Sequence, residues 1–169
     1  VTGIVLEPEV VDSQGDIYSE DEIFKAMESF NVHCRRACLQ HSLESEAHVV
    51  ESWTTKNDEV IGDQEVKKGT WAMTMRLPDD EFALVKKGVF TGFSVGCKAQ
   101  VEQINKSDKP KRRLTNFDFS LEGAEVSLVD KAANKRQILV TKAVDDNTVQ
   151  IEKNLLEILG LIDGITQQK

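Results

Sequence analysis

The sequence predicts an α+β protein made mainly of antiparallel strands, arranged as a sheet or barrel with helices at its periphery. About seven short runs alternate between apolar and polar residues or are rich in β-branched residues, as strands are. Two or three runs place apolar residues at helical spacing, without the regular strand–helix alternation of a parallel βαβ protein. The 169 residues suffice for one domain with a single core.

The predicted strands differ in how clearly they are marked. The clearest is Thr70 to Leu77, whose alternation places one set of residues on one face: Trp71, Met73, Met75 and Leu77. The other strands are predicted at Val1 to Leu6, His48 to Thr54, Ser94 to Ile104, Phe117 to Leu121, Glu125 to Val129 and Gln137 to Thr141.

Helices are predicted at Ser19 to about Phe30, Asp79 to Lys87 and Ile151 to Ile162. The first begins with a capping box, in which Ser19 precedes Glu22 by three residues. The second follows Pro78, has acidic residues at its positive end, and stops before Gly88. The third is an amphipathic helix near the C terminus.

Composition and charge exclude several classes of partner. The net charge of −8 argues against nucleic acid, and no apolar run approaches the roughly 18 residues that span a bilayer. The cysteine count of 3 is odd, which argues against a disulfide framework and indicates a reducing cytoplasm. The chain begins with Val1 and is already strand-like there, so we expect it to be a processed or excised piece of a longer protein.

Ser94 lies between Gly92 and Gly96 in a G-x-S-x-G pattern. The same pattern marks the nucleophile of α/β-hydrolases, where a strand precedes the serine, a helix follows it and the catalytic histidine comes later. Here a predicted helix precedes Ser94 and a strand follows it. All the histidines precede it as well: His33, His41 and His48. The hydrolase interpretation is therefore excluded, and on its own the short pattern favours a glycine-rich strand start.

Two other residues give Ser94 a functional interpretation. A serine hydroxyl needs a neighbouring base to become a nucleophile, and a histidine such as His41 exchanges protons near neutral pH. Glu125 lies in an otherwise apolar strand, where a buried carboxylate is costly unless it has a partner. Alternation places Glu125 on the same side as Ser127 and Val129, and Asp130 is the competing acid one residue past the strand. A surface histidine and an outward-facing glutamate remain the alternatives.

Together these segments resemble the phage prohead proteases, in particular the phage serine proteases of defective-prophage type. The resemblance extends from Val1 to about Val140. The matching segments are Val1 to Val5 with Pro8, Val11 to Asp16, Gln40-His41, Val49 to Trp53, Lys68 to Trp71, Gly88, Thr91 to Gly96 and Glu125 to Val129. The wider superfamily is similar to herpesvirus assemblin, with the catalytic residues in the chain order histidine, serine, third member. The resemblance therefore implies a serine endopeptidase with His41, Ser94 and Glu125 as its triad.

The resemblance has further implications for fold, substrate and setting. It implies a single barrel of about seven strands within residues 1–145, followed by a C-terminal helix and tail at 146–169. Backbone N–H groups near Ala133 and Asn134 would stabilise the oxyanion, and no metal or organic cofactor is needed. The implied substrates are phage scaffold and major capsid proteins inside the assembling prohead in the host cytoplasm, with self-cleavage. Self-association through a helix and packing of the C-terminal helix on its own barrel are both left open, and binding to nucleic acid or membrane is not expected.

Two segments depart from the family pattern and keep alternatives open. The loop Lys131 to Asn134 lacks the proline that many prohead proteases carry after the last triad strand. Cys34 and Cys38 with His41 have the residue types of a zinc site, joined by His33 or His48, although their spacing is only loosely zinc-like. A catalytically inert head-assembly or scaffolding module of the same fold is the other alternative. No function is assigned to the basic loop Lys106 to Arg113.

Overall fold

The computed structural model describes residues 1–104 and 111–140, which form twelve strands and two helices. The strands are β1 Thr2–Leu6, β2 Asp16–Ile17, β3 Ala37–Leu39, β4 Leu43–Glu44, β5 His48–Thr54, β6 Glu59–Ile61, β7 Gln64–Val66, β8 Trp71–Arg76, β9 Gly92–Gly96, β10 Lys98–Gln103, β11 Arg112–Asp118 and β12 Glu125–Val129. The helices are α1 Glu20–His33 and α2 Asp79–Lys86. The predicted α+β class, with strands predominating, is confirmed.

The described strands form four separate sheets. Their orders are β1-β8-β5, β10-β11-β2, β4-β3-β12-β9 and β6-β7. A single closed barrel is not found in this part of the chain, in contrast to the expectation of one barrel of about seven strands. The predicted strand from Ser94 to Ile104 divides at Cys97 into β9 and β10, which pair with different partners. Register shifts within β1, β5 and β10 interrupt the ladders further, since bulges bend strands and end regular pairing.

The core lies between the sheets and the inner face of α1. Phe30 of α1 packs against Trp71 and Phe119, with ring centroids 5.5 and 5.4 Å apart. Burial of a side chain such as Phe30 contributes about 1.5–3 kcal/mol. In β8 the residues of both faces are buried, including Ala72 beside Met73. Both faces of β8 therefore contribute to the core, and both of its edges are paired, with β1 and β5.

Both described helices begin where the sequence predicts. The Ser19 hydroxyl accepts a hydrogen bond from the Glu22 backbone N–H at 3.3 Å. The Glu22 side chain does not complete the capping box. Its carboxylate instead accepts from Lys25 Nζ at 2.9 Å and from the Asn116 backbone N–H at 2.7 Å. Helix α1 thus gains a connection to β11 that the capping pattern does not predict.

Apart from β12, the elements predicted after residue 116 either have other bounds in the structure or lie outside the described residues. Strand β11 spans Arg112–Asp118 and so lies earlier in the chain than the strand predicted at Phe117 to Leu121. Of the strand predicted at Gln137 to Thr141, the described part contains one bridge, between Thr2 and Leu139. The predicted C-terminal helix, the domain boundary at 145 and most of the basic loop lie outside the described residues. Neither described helix is long and apolar enough to cross a membrane.

Candidate active site

Strand β12 brings the predicted site residues together because it lies between β9 and β3. It pairs antiparallel with β9, so that Ser127 is opposite Ser94 and Glu125 is opposite Gly96. Residues directly opposite each other project from the same face of a sheet, so Ser94, Ser127 and Glu125 share one face. Strand β3 pairs parallel with the other edge of β12, and the turn after β3 carries His41.

A strained turn holds His41 over this face. Gln40 and His41 both have positive φ, 52° and 55°, a conformation uncommon for residues with a Cβ atom. The Gln40 N–H donates to the Leu128 carbonyl at 3.0 Å, and the His41 N–H donates to Ser127 Oγ at 2.9 Å. Both bonds tie the turn to β12. Strained backbone of this kind persists only where surrounding contacts fix it, and it is concentrated at functional sites.

His41 joins a buried carboxylate to an accessible hydroxyl. Its Nδ1 is 2.6 Å from Glu125 Oε1, and its Nε2 is 2.9 Å from Ser94 Oγ. The Glu125 side chain is 6% exposed and the His41 side chain 41% exposed. With Glu125 accepting the Nδ1 proton, Nε2 is free to accept the proton of Ser94. The geometry therefore suits activation of a serine nucleophile.

The two glycines beside Ser94 are required for space. A Cβ atom at Gly96 would overlap Glu125 Oε1 and lie 3.2 Å from His41 Nδ1. A Cβ atom at Gly92 would overlap the Ala132 side chain and lie 2.9 Å from the Arg136 carbonyl oxygen. Gly96 thus makes room for the carboxylate, and Gly92 lets the loop after β12 approach β9.

The competing candidates lie elsewhere. Asp130 is exposed, and its backbone carbonyl accepts a hydrogen bond from Thr91 Oγ1 at 2.6 Å. His33 ends α1, and His48 lies on β5 opposite Arg76. Of the three histidines, only His41 is hydrogen-bonded to Ser94 among the described residues.

Ala133 and Asn134 lie in the loop after β12 and line a cavity of about 60 Å³ together with Ser94. The Asn134 side chain is occupied: its amide donates to the Ile4 and Val5 carbonyls at 3.0 and 3.1 Å, and its oxygen accepts from the Arg136 N–H at 2.9 Å. These bonds anchor the loop to β1. They also exclude the Asn134 side chain as a free donor and leave the backbone N–H groups as the candidates.

The described residues do not group the cysteines into the alternative zinc site. Burial raises the pKa of the Cys34 and Cys38 thiols and raises that of Cys97 to about 12. Cys34 Sγ donates to the Ala124 carbonyl at 3.1 Å. Both ring nitrogens of His41 already face Ser94 and Glu125. Within residues 1–104 and 111–140, no three His, Cys, Asp or Glu side chains are grouped to hold a metal ion.

Ser127 also belongs to this cluster, although the sequence analysis does not identify it as a site residue. It is fully buried, and its hydroxyl donates to Glu125 Oε2 at 2.6 Å while accepting from the His41 N–H. The available signal was the alternation that places Ser127 on the same side of the strand as Glu125. A hydroxyl buried in an apolar strand needs a hydrogen-bonding partner.

Comparison with known proteins identifies a family for the chain. Residues 1–103 match the family described as "Putative phage serine protease XkdF". The chain belongs to this family. The resemblance of the sequence to phage serine proteases is therefore confirmed as membership of this family. The matched residues include His41 and Ser94 and end before Glu125.

Two curated relatives and one solved structure are similar to the chain. Phage-like element PBSX protein XkdF of Bacillus subtilis (strain 168) is 37% identical over 102 residues, which are 60% of this chain and 37% of that protein. Uncharacterized protein YqbD of the same strain is 35% identical over 111 residues, 65% of this chain and 34% of that protein. The chain thus spans about a third of the length of these relatives. The bacteriophage T4 capsid assembly protease, gp21, aligns with a TM-score of 0.45 and 16% identity, covering 75% of this chain and 79% of that one.

Proposed function

We propose that the chain is a serine endopeptidase in which Ser94 is the nucleophile, His41 the general base and Glu125 the third member of the triad. The observation that supports this proposal is the hydrogen-bonded sequence of atoms from Glu125 Oε1 through both ring nitrogens of His41 to Ser94 Oγ, at 2.6 and 2.9 Å. Membership of a phage serine protease family supports the reaction class.

The proposed reaction proceeds in two stages. His41 Nε2 removes the hydroxyl proton as Ser94 Oγ bonds to the peptide carbonyl carbon, and the resulting imidazolium then protonates the leaving amine. Water attacks the acyl-enzyme with His41 again acting as base, and the serine is regenerated. Glu125 holds the imidazole in the tautomer with hydrogen on Nδ1 and stabilises its charged form.

The oxyanion that develops on the carbonyl oxygen needs hydrogen-bond donors. We assign this role to the backbone N–H groups of Ala133 and Asn134. Their loop lines the same small cavity as Ser94. Neither N–H donates to another group among the described residues. The anchoring of Asn134 to β1 would keep both groups in place.

The proposed substrates are scaffold and major capsid precursors of a phage prohead, with self-cleavage, inside the assembling prohead in the host cytoplasm. Support comes from the phage protease family and from the resemblance of the sequence to prohead proteases. Because the chain spans about a third of its curated relatives, these substrates are proposed for the longer protein. Self-association through a helix stays a prediction. An inert scaffolding module is the weaker alternative, since it gives no reason for the alignment of His41 with Ser94.

Alanine substitutions of Ser94 and of each histidine test the proposal. Ser94→Ala and His41→Ala should each lower cleavage of a purified scaffold precursor by about three powers of ten or more. His33→Ala and His48→Ala should retain most activity, because His33 lies at the end of α1 and His48 on β5, whereas His41 is hydrogen-bonded to Ser94. Cleavage rates measured on gels give the effect, for variants whose thermal stability equals that of the wild type. A near-wild-type rate for Ser94→Ala would rule out this nucleophile, and an essential His48 would rule out His41 as the base.

A further inference from the structure

We propose that Ser127 is a positioning residue, whose hydroxyl fixes both the carboxylate of Glu125 and the backbone of His41. This inference rests on the proposed function. Ser127 is fully buried in an interior strand of its four-stranded sheet, directly opposite Ser94. Its Oγ is 2.6 Å from Glu125 Oε2 and 2.9 Å from the His41 nitrogen.

The two bonds define the orientation of the hydroxyl. A serine hydroxyl has one proton to donate and lone pairs that accept. The proton of Ser127 is directed to Glu125 Oε2, and a lone pair accepts the His41 N–H. One oxygen atom therefore links the acid, which holds the imidazole at Nδ1, to the main chain that carries the same imidazole.

Removal of this hydroxyl would affect both neighbours. Glu125 Oε2 would lose its donor in a buried environment, so the carboxylate would turn toward another partner or water. The His41 N–H would lose its acceptor in a turn with positive φ at Gln40 and His41, and the turn would relax. Both changes shift Nε2 relative to Ser94 Oγ, although Ser127 itself does not contact the reacting atoms.

The chain offers a matched control at Ser45. Its hydroxyl donates to Glu81 Oε2 at 2.6 Å and accepts from the Ala47 N–H at 2.9 Å. These are the same two kinds of bond at the same lengths as those of Ser127. Ser45 and Glu81 have no hydrogen bond to Ser94, His41 or Glu125 among the described residues. Ser45 is half-buried, and Ser45→Ala therefore removes a serine–glutamate hydrogen bond of the same kind outside the proposed site.

The experiment compares acylation by a fluorophosphonate probe in Ser127→Ala, Ser127→Cys and Ser45→Ala. We expect Ser127→Ala to react about 10- to 100-fold more slowly, since small misplacements of catalytic groups have effects of that size. Ser127→Cys fills the space but donates weakly, so it should also be slow. Ser45→Ala should match the wild type. In a Glu125→Gln background, Ser127→Ala should slow acylation by a smaller factor than in the wild type, because one of its two contacts acts through Glu125.

A direct readout of His41 separates positioning from general structural damage. The Nδ1 proton of His41 should give a downfield ¹H NMR signal that is the same in the wild type and Ser45→Ala but moves in Ser127→Ala. An unmoved signal, a wild-type labelling rate, or full additivity with Glu125→Gln would overturn the proposal. If the wild type is not labelled at all, the protease proposal fails, and the NMR comparison still decides whether Ser127 positions His41.

Discussion

Glu125 illustrates how single residues combine structural and chemical roles in this site. Each oxygen of its carboxylate has a partner, His41 at Oε1 and Ser127 at Oε2. An unpaired carboxylate buried to this extent would destabilise the fold by several kcal/mol. The bonds that make its burial tolerable also orient the imidazole toward Ser94.

The assignment of the third member is tested by two conservative substitutions. Glu125→Gln should keep the fold but lower the acylation rate by roughly two to four powers of ten, as in other triads that lose their acid. Asp130→Asn should have a far smaller effect, because the Asp130 side chain is exposed. Single-turnover kinetics measure both. The reverse ranking would move the role to Asp130, and two near-neutral results would indicate a Ser94–His41 dyad.

Gly96 gives a second test at this scale. Gly96→Ala should lower acylation by about 100-fold or more, because the added methyl group displaces the Glu125 carboxylate. Gly88→Ala is the control. Gly88 has φ of +73° with nothing within 4 Å of an added Cβ atom, so alanine there should cost about 1–2 kcal/mol of stability. That variant should retain the acylation rate. Normal acylation by Gly96→Ala would show that the carboxylate does not need its present position.

Residue-level prediction from the sequence depended on local information. The flanking glycines of Ser94 and the unusual acid at Glu125 were visible, because each departs from its immediate surroundings. The choice of His41 came from resemblance and not from the residue itself. Gly96 was not recognised as a contact of Glu125, since that contact depends on cross-strand register. The bond from the His41 N–H to Ser127 depends on the turn after β3.

Elements were predicted best where their signals are local. The start of α1 follows from the Ser19 cap, whose bond forms within one turn. The run from Ser94 to Ile104 looks continuous in sequence, but β9 pairs with β12 and β10 pairs with β11. Alternation describes which residues share a face and does not reveal where a strand changes partner. Pairing over long sequence separations therefore had to come from the structure.

The connection between α1 and β11 gives a pH-dependent prediction. The hydrogen bond from Lys25 lowers the pKa of Glu22 below its ordinary value of 4.5 despite burial, and the Asn116 N–H adds to this lowering. A carboxylate whose pKa is lowered by folding stabilises the protein above its unfolded pKa, and this stability is lost as the pH falls through the folded pKa. Glu22→Gln should therefore lower the free energy of unfolding at pH 7, and the difference from the wild type should shrink below pH 4.5.

Urea unfolding at neutral and acidic pH measures this difference. Glu28→Gln is the matched control, because Glu28 is exposed on the same helix. It should change the free energy of unfolding little at either pH. A deficit in Glu22→Gln that stays constant from neutral to acidic pH would contradict the assigned role of the carboxylate.

At the scale of the whole molecule, the α+β fold class could be predicted from the sequence. Whether the strands close into a single barrel could not. Strand predominance follows from alternation summed over the chain, whereas a barrel requires particular strands to pair at its seam. The described strands instead form four sheets, and the candidate site lies on the sheet β4-β3-β12-β9. The family match covers residues 1–103, so the proposed role of Glu125 rests on geometry and not on that match.

The central claim, that Ser94 is a nucleophile activated by His41, is tested most directly by locating a fluorophosphonate adduct. Trypsin releases residues 88–98 as one peptide, and Ser94 is its only serine. We predict that mass spectrometry finds the adduct on this peptide in the wild type, with fragmentation placing it on Ser94. Ser94→Ala and His41→Ala should remain unlabelled. An unlabelled wild type, an adduct on another residue, or labelling of Ser94 that persists at the wild-type rate in His41→Ala would contradict the account.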